Sequence, residues 1–106
     1  MNSIQEIEVA NARRGHHYFE ADTMRFFRSR VSSEVEPLPN GGALFITSEQ
    51  NHGWGGPYPR LFSIRRCNPD GSIDTVGDFQ AYATRARAIT MTRKLSAWCW
   101  QALRLY

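Results

Sequence analysis

Between Arg60 and Cys67 the chain reads Arg-Leu-Phe-Ser-Ile-Arg-Arg-Cys and then runs straight into Asn68-Pro69-Asp70-Gly71. Side chains alternate across a strand, so Phe62 and Ile64 face one side while Leu61, Ser63 and Arg65 face the other. Proline presets the turn, aspartate bonds its own backbone and glycine takes the conformation that other residues avoid. The chain therefore reverses here, and Ser72 to Val76 returns beside the strand. Upstream, Ala43 to Glu49 is rich in β-favouring residues, with Phe45 and Thr47 on one face and Leu44, Ile46 and Ser48 on the other. Pro37, Pro39, Asn40, Gly41 and Gly42 make the turn before it, and Val35 is placed in a short edge strand. The result is an antiparallel meander centred on Arg60 to Cys67.

Helical signals flank the meander. Ser3 and Glu6 form a capping box, and Ile4, Ile7 and Ala10 recur at helical spacing up to a stop at Gly15. Asp22 is a ready N-cap for a second helix over Thr23 to Val31, apolar along Met24, Phe27 and Val31, with Arg25, Arg28 and Arg30 mainly elsewhere. From Phe79 the period changes again. Phe79, Tyr82, Ala86 and Ile89 form one stripe, and Met91, Leu95, Trp98, Ala102 and Leu105 form another almost opposite it. Such a helix either bends around Thr90 to Thr92, or its second half leaves the sheet and buries itself elsewhere. The second course is favoured, with 91–106 as an extension and a homodimer contact through Trp98, Ala102 and Leu105. The expected fold is α+β: a small three- to four-stranded antiparallel sheet with two short N-terminal helices and a long C-terminal helix, in one domain of 106 residues.

Composition excludes several function classes. No apolar run approaches the roughly 20 residues of a spanning helix, and the amino end lacks the pattern of a signal peptide, so a cytoplasmic protein without membrane contact is expected. Cys67 and Cys99 form no C-x-x-C and are read as reduced, mostly buried thiols. His16, His17 and His52, with Glu20 and Asp22, lack the spacing of a metal site. The loop His52-Gly53-Trp54-Gly55-Gly56-Pro57-Tyr58 lacks the Gly-Lys-Ser/Thr ending that holds a nucleotide, and no serine lies in a Gly-x-Ser-x-Gly setting. The expectation is therefore no enzyme, no metal and no cofactor.

What the sequence does offer is a contact surface. The net charge is only +3, yet twelve of the thirteen basic residues are arginine, whose planar fork suits carboxylates, phosphates and aromatic faces. Arg25, Arg28 and Arg30 on the second helix, Arg60, Arg65 and Arg66 on the central strand, and Arg85, Arg87 and Arg93 on the last helix would form a basic patch if the helix and one sheet face meet on one side. Trp54 and Tyr58 either make a recognition tip or fold back to cap the core.

The segments Asp22 to Val31, Phe45 to Gln50, Pro59 to Arg66 and Asp70 to Gln80 resemble an uncharacterised family of short proteins encoded by phages and other mobile elements. The resemblance runs from about His17 to Ala88, and no part beyond Met91 shares it. It implies a mobile-element origin and a compact fold, and it transfers no catalytic residue. From origin, size and surface together, the expected function is a non-enzymatic, anti-CRISPR-like inhibitor that binds a host protein or ribonucleoprotein complex. The expected contacts are Arg25, Arg28, Arg30, Trp54, Tyr58, Arg65 and Arg66. The alternative is a direct nucleic-acid-binding module that uses the arginines on phosphates.

Overall fold

A computed structural model describes residues 1–104. The elements are α1 (Ile4–Arg13), α2 (Ala21–Arg25), β1 (Arg30–Pro37), β2 (Ala43–Gln50), β3 (Arg60–Cys67), β4 (Ile73–Val76) and α3 (Arg85–Arg104). The strands form one antiparallel sheet in the order β1-β2-β3-β4, so the α+β fold with a four-stranded meander is the observed one. β2 pairs with β3 without interruption from Ala43↔Cys67 to Gln50↔Arg60, whereas its pairing with β1 shifts register between Val31 and Val35.

Helices cover both faces of the sheet, and β2 is buried along almost its whole length. On the first face Phe45, Ala43 and Cys67 pack with Ile7 of α1, joined by Tyr18, Phe19, Val31, Val35 and Ile73. Phe45 has no exposed surface and meets Tyr18 edge-on, with ring centres 6.3 Å apart. On the second face Leu44, Ile64 and Leu38 take Met91 and Leu95 of α3. The centre of the sheet is therefore β2 together with β3, and β2 is the more enclosed of the two.

Three sequence expectations are corrected here. The second helix does not run from Thr23 to Val31: it has five residues, starts after Glu20 rather than Asp22, and gives way to β1 at Arg30. It stops because Arg28 takes a left-handed conformation (φ 49°), while the Arg28 and Ser29 amides donate to the carbonyls of Arg25 and Met24. That pattern is a Schellman cap with arginine where glycine is usual. Val31 and Val35 are then captured by Thr47 and Phe45 across the sheet. The long helix also starts later than Phe79, since Tyr82 exchanges backbone hydrogen bonds with Phe62 as an extra bridge on β3. Finally, Cys67 is buried but Cys99 is exposed.

α3 runs as one helix, and its innermost stripe is neither of the two apolar ones. Ala88, Thr92 and Ser96, at steps of four, are the residues it buries most deeply, with Met91 and Leu95 beside them. Small side chains let the helix axis approach the sheet, and the hydroxyls find partners: Thr92 Oγ1 donates to the Ala88 carbonyl and Ser96 Oγ to that of Pro37. At its first turn Arg85 Nη2 lies 2.6 Å from the Glu34 carboxylate, whose pKa this bond lowers to about 2.

α1 is latched to the β3–β4 hairpin through the turn that the sequence marks so clearly. Asn11, only 2% exposed, donates from Nδ2 to the Gly71 carbonyl at 2.9 Å and accepts the Tyr18 amide on Oδ1. Gly71 has φ 92°, and a Cβ built there would stand 2.1 Å from the Ala10 carbonyl oxygen. Gly77, also at positive φ (73°), has open space around it. The pair separates strain from collision. In urea unfolding, Gly77→Ala is expected to cost about 1 kcal/mol, the left-handed penalty alone. Gly71→Ala adds the displacement of α1 and is expected to cost at least about 3 kcal/mol; equal losses would contradict this docking.

Candidate functional site: an arginine and aromatic end of the sheet

The end of the sheet at which β2 finishes and β3 begins is organised from inside by Glu49. Strand alternation puts Glu49 on the same face as Phe45 and Thr47, and the side chain has no exposed surface. Its carboxylate accepts from Thr47 Oγ1 at 2.5 Å, Ser63 Oγ at 2.9 Å and Arg65 Nη2 at 2.7 Å. Arg65, with a side chain 12% exposed, also donates from Nε to Thr47 and from Nη1 to Thr75 of β4. Its guanidinium lies between Phe79 and Tyr18, 5.3 and 5.9 Å from their ring centres. Burial pushes the Tyr18 phenol up from its ordinary value, while Arg65 and Thr47 pull the other way. Gln80 closes the group, its amide donating to Ser63 Oγ and its side chain to the Glu49 carbonyl. Both carboxylate oxygens and every arginine nitrogen of this pair are occupied by the protein itself, which makes it a structural tie.

That tie fixes the last residues of β2, and two loops hang from them. The Gln50 amide donates to the Phe27 carbonyl at 2.8 Å, and His52 Nε2 hydrogen-bonds the Phe26 carbonyl at 2.8 Å. Phe27 packs on Phe79, which leaves its edge-on neighbour Phe26 turned outwards with 69% of its surface exposed. In the other loop Tyr58 donates from its hydroxyl to the Trp54 carbonyl at 2.6 Å, and Gln50 Nε2 donates to the Tyr58 carbonyl at 3.0 Å. Tyr58 thus holds the loop together and is half-buried, while Trp54 is 100% exposed. Of the two readings of Trp54, the outward one is observed.

Arginines gather at the same end. Arg30 pairs across the sheet with Ser48, and Arg60, opening β3, reaches back to donate to the Ser48 carbonyl and hydroxyl, both at 3.0 Å. Arg28 lies two residues before Arg30 in the capping turn and is exposed. Burial lowers the Arg60 pKa first, and the positive charges of Arg30 and Arg28 lower it further, with Glu49 opposing. Among the described residues none of these three has a carboxylate partner within 4 Å.

Most of the other arginines are paired with acids, so the single patch expected from the sequence is divided. Arg25 binds Asp22 at 2.5 Å, Arg66 binds Asp74 at 3.3 Å, and Arg85 and Arg93 bind Glu34 and Glu36. Arg65 belongs to the interior. Of the expected contact residues, Arg28, Arg30, Trp54 and Tyr58 are brought together, Arg25 stands apart beside Asp22, and Arg65 and Arg66 point elsewhere. Arg60, named among the arginines of the expected patch but not among the expected contacts, completes the group with Phe26. Phe26 was missed because it was hidden by the helix read over it.

Elsewhere, Trp98, Trp100 and Leu103 are exposed along the second half of α3, and Trp100 Nε1 donates to the Pro37 carbonyl at 3.0 Å. Trp98 and Ala102 of the expected dimer contact are exposed, and Leu105 lies outside the described residues. Among the described residues no three His, Cys, Asp or Glu side chains converge as metal ligands, and no helix is long and apolar enough to cross a membrane.

A family profile described as a family of unknown function, DUF7447, matches residues 3–93. The chain belongs to DUF7447. The matched span of DUF7447 takes in the whole sheet, the Glu49–Arg65 tie and both loops, and stops before Trp98 and Trp100. Neither the comparison with curated proteins nor that with solved structures yields a match.

The two adjacent arginines of β3 give a direct check on the site. Arg65→Glu sets two carboxylates against each other in the interior and is expected to remove at least about 4 kcal/mol, enough to unfold a domain of ordinary stability. Arg66→Glu, at an exposed pair, is expected to change stability by less than about 1 kcal/mol. Thermal unfolding followed by circular dichroism reads both, and similar melting temperatures would contradict the assignment of Arg65 to the interior.

Proposed function

We propose that this chain is a non-enzymatic binding protein of phage or mobile-element origin that inhibits a bacterial host defence machine, in the manner of an anti-CRISPR, within the host cytoplasm. The observation that carries this reading is the convergence of Trp54, Phe26, Arg28, Arg30 and Arg60 on one end of the sheet. Large aromatics and arginines are the side chains that contribute most at macromolecular contacts, because they bury much area and keep a polar handle. Here two aromatics stand 69% and 100% exposed on loops whose backbones are tied down. Ordering them on a partner therefore costs less conformational entropy than ordering a free loop.

Action by occupancy fits the interior as well. The buried carboxylate is saturated by Thr47, Ser63 and Arg65, so the polar centre holds the frame and leaves contact to the surface. The resemblance to phage-encoded proteins supplies the biological setting, and membership of DUF7447 is compatible with it.

Plating efficiency is the test. A phage that is restricted by a CRISPR-type defence is plated on hosts expressing either the wild-type chain or a Trp54→Ala, Arg60→Glu variant. The wild type is expected to restore plaques, and the variant, at matched soluble expression, is expected to lose most of that effect. Unchanged plating with the wild type would contradict the inhibitor reading.

A further inference from the structure

The chemistry of the arginine and aromatic end is specific enough to name what it takes. Resting on the reading of this end as the contact surface, we infer that its ligand is an unpaired nucleic-acid strand, with bases stacked on Trp54 and Phe26 and phosphates held by Arg28, Arg30 and Arg60.

The cations come first. Arg30 and Arg60 flank Ser48 from the two neighbouring strands, and Arg28 precedes Arg30 in the same turn. No carboxylate of the described residues lies within 4 Å of any of them, although most other arginines of the chain have one. Like charges kept close without a paired carboxylate attract a polyanion, and a phosphate backbone supplies charge at the spacing of successive residues. An acidic protein surface could meet the cations too, but an unpaired strand combines regularly spaced anionic charge with flat faces for the aromatics in one ligand.

The aromatics decide between single and double strands. A fully exposed indole on one loop and an exposed ring on the other loop at this end offer faces for flat partners, and bases present their faces only when unpaired. In a duplex the bases are already stacked, and neither Trp54 nor Phe26 would find a partner without opening it.

Arg28 adds a separate indication. It occupies the left-handed position of the α2 cap, where glycine is the unstrained residue. An arginine there pays in backbone strain for a charge placed at this end. Arg28→Gly should therefore keep or improve the fold while removing one phosphate contact.

The experiment is fluorescence anisotropy with labelled oligonucleotides of about 12 residues, a length within the range such surfaces cover. One arm uses oligo-dT, one oligo-U, and one a duplex hairpin of equal charge. The intact chain is expected to bind the single strands more tightly than the hairpin, with affinity falling with salt at a log–log slope of about −2, the value for three phosphates on a single strand. Trp54→Ala is expected to weaken binding about tenfold, and Arg28→Gly is expected to flatten the salt slope with an undiminished melting temperature. Arg87→Glu, exposed on α3, serves as the control and is expected to leave binding unchanged. No binding of either strand at low salt, preference for the hairpin, or indifference to Trp54→Ala would overturn the inference. Failure here, with plating still restored in a Trp54-dependent way, would leave the inhibitor standing with a protein as its partner. Strand binding without any effect on plating would retain the ligand and remove the inhibitor.

Discussion

Glu49 sits without exposed surface between two β-strands, and the fold tolerates it only because Arg65, Ser63 and Thr47 close around both of its oxygens. Taking a carboxylate out of water costs several kcal/mol even after relaxation, so removal of any partner exposes that cost at once. Arg65 is in turn held by Thr75 of β4 and framed by Tyr18 and Phe79. One ion pair thereby ties β2, β3 and β4 to the segment before α2 and to the turn before α3. A buried polar group of this kind constrains register more sharply than an apolar one, because a slip of one residue would carry the carboxylate to the opposite face.

From that constraint follows the division between interior and surface. The sheet is covered by α1 and its following loop on one side and by α3 on the other. The end where β2 and β3 meet their loops stays accessible, and there the chain places its most exposed tryptophan and three arginines with no carboxylate of the described residues within 4 Å. The arginines of this protein thus do two kinds of work. Arg65 holds the frame, and Arg28, Arg30 and Arg60 face outwards from it.

Much of the frame was legible. Alternation defined β2 and β3, the Asn-Pro-Asp-Gly turn defined the return of β3 into β4, and Ser3 caps α1 as expected, accepting the Glu6 amide on its hydroxyl. The α2–β1 boundary was not legible, because Met24, Phe27 and Val31 mimic a helical face and only pairing with Thr47 reveals Val31 as part of the edge strand expected at Val35. The inner stripe of α3 was hidden for a different reason: Ala88, Thr92 and Ser96 are small or polar, and a search for large apolar residues passes over them. Glu49 left a signal that went unread. It shares a face with Phe45 and Thr47, and Ser63 and Arg65 share a face with each other; an acid and a base on the inner face of paired strands are bound to meet.

A double-mutant cycle on Glu49 and Arg65 tests the dependence of the fold on this pair most directly. Glu49→Leu, Arg65→Met and the double variant are unfolded in urea. Each single change is predicted to cost about 3 to 5 kcal/mol by leaving one buried charge unpaired, and the double variant is predicted to cost at least about 2 kcal/mol less than their sum. Costs that simply add, within about 0.5 kcal/mol, would show that the two side chains act independently and would contradict the account.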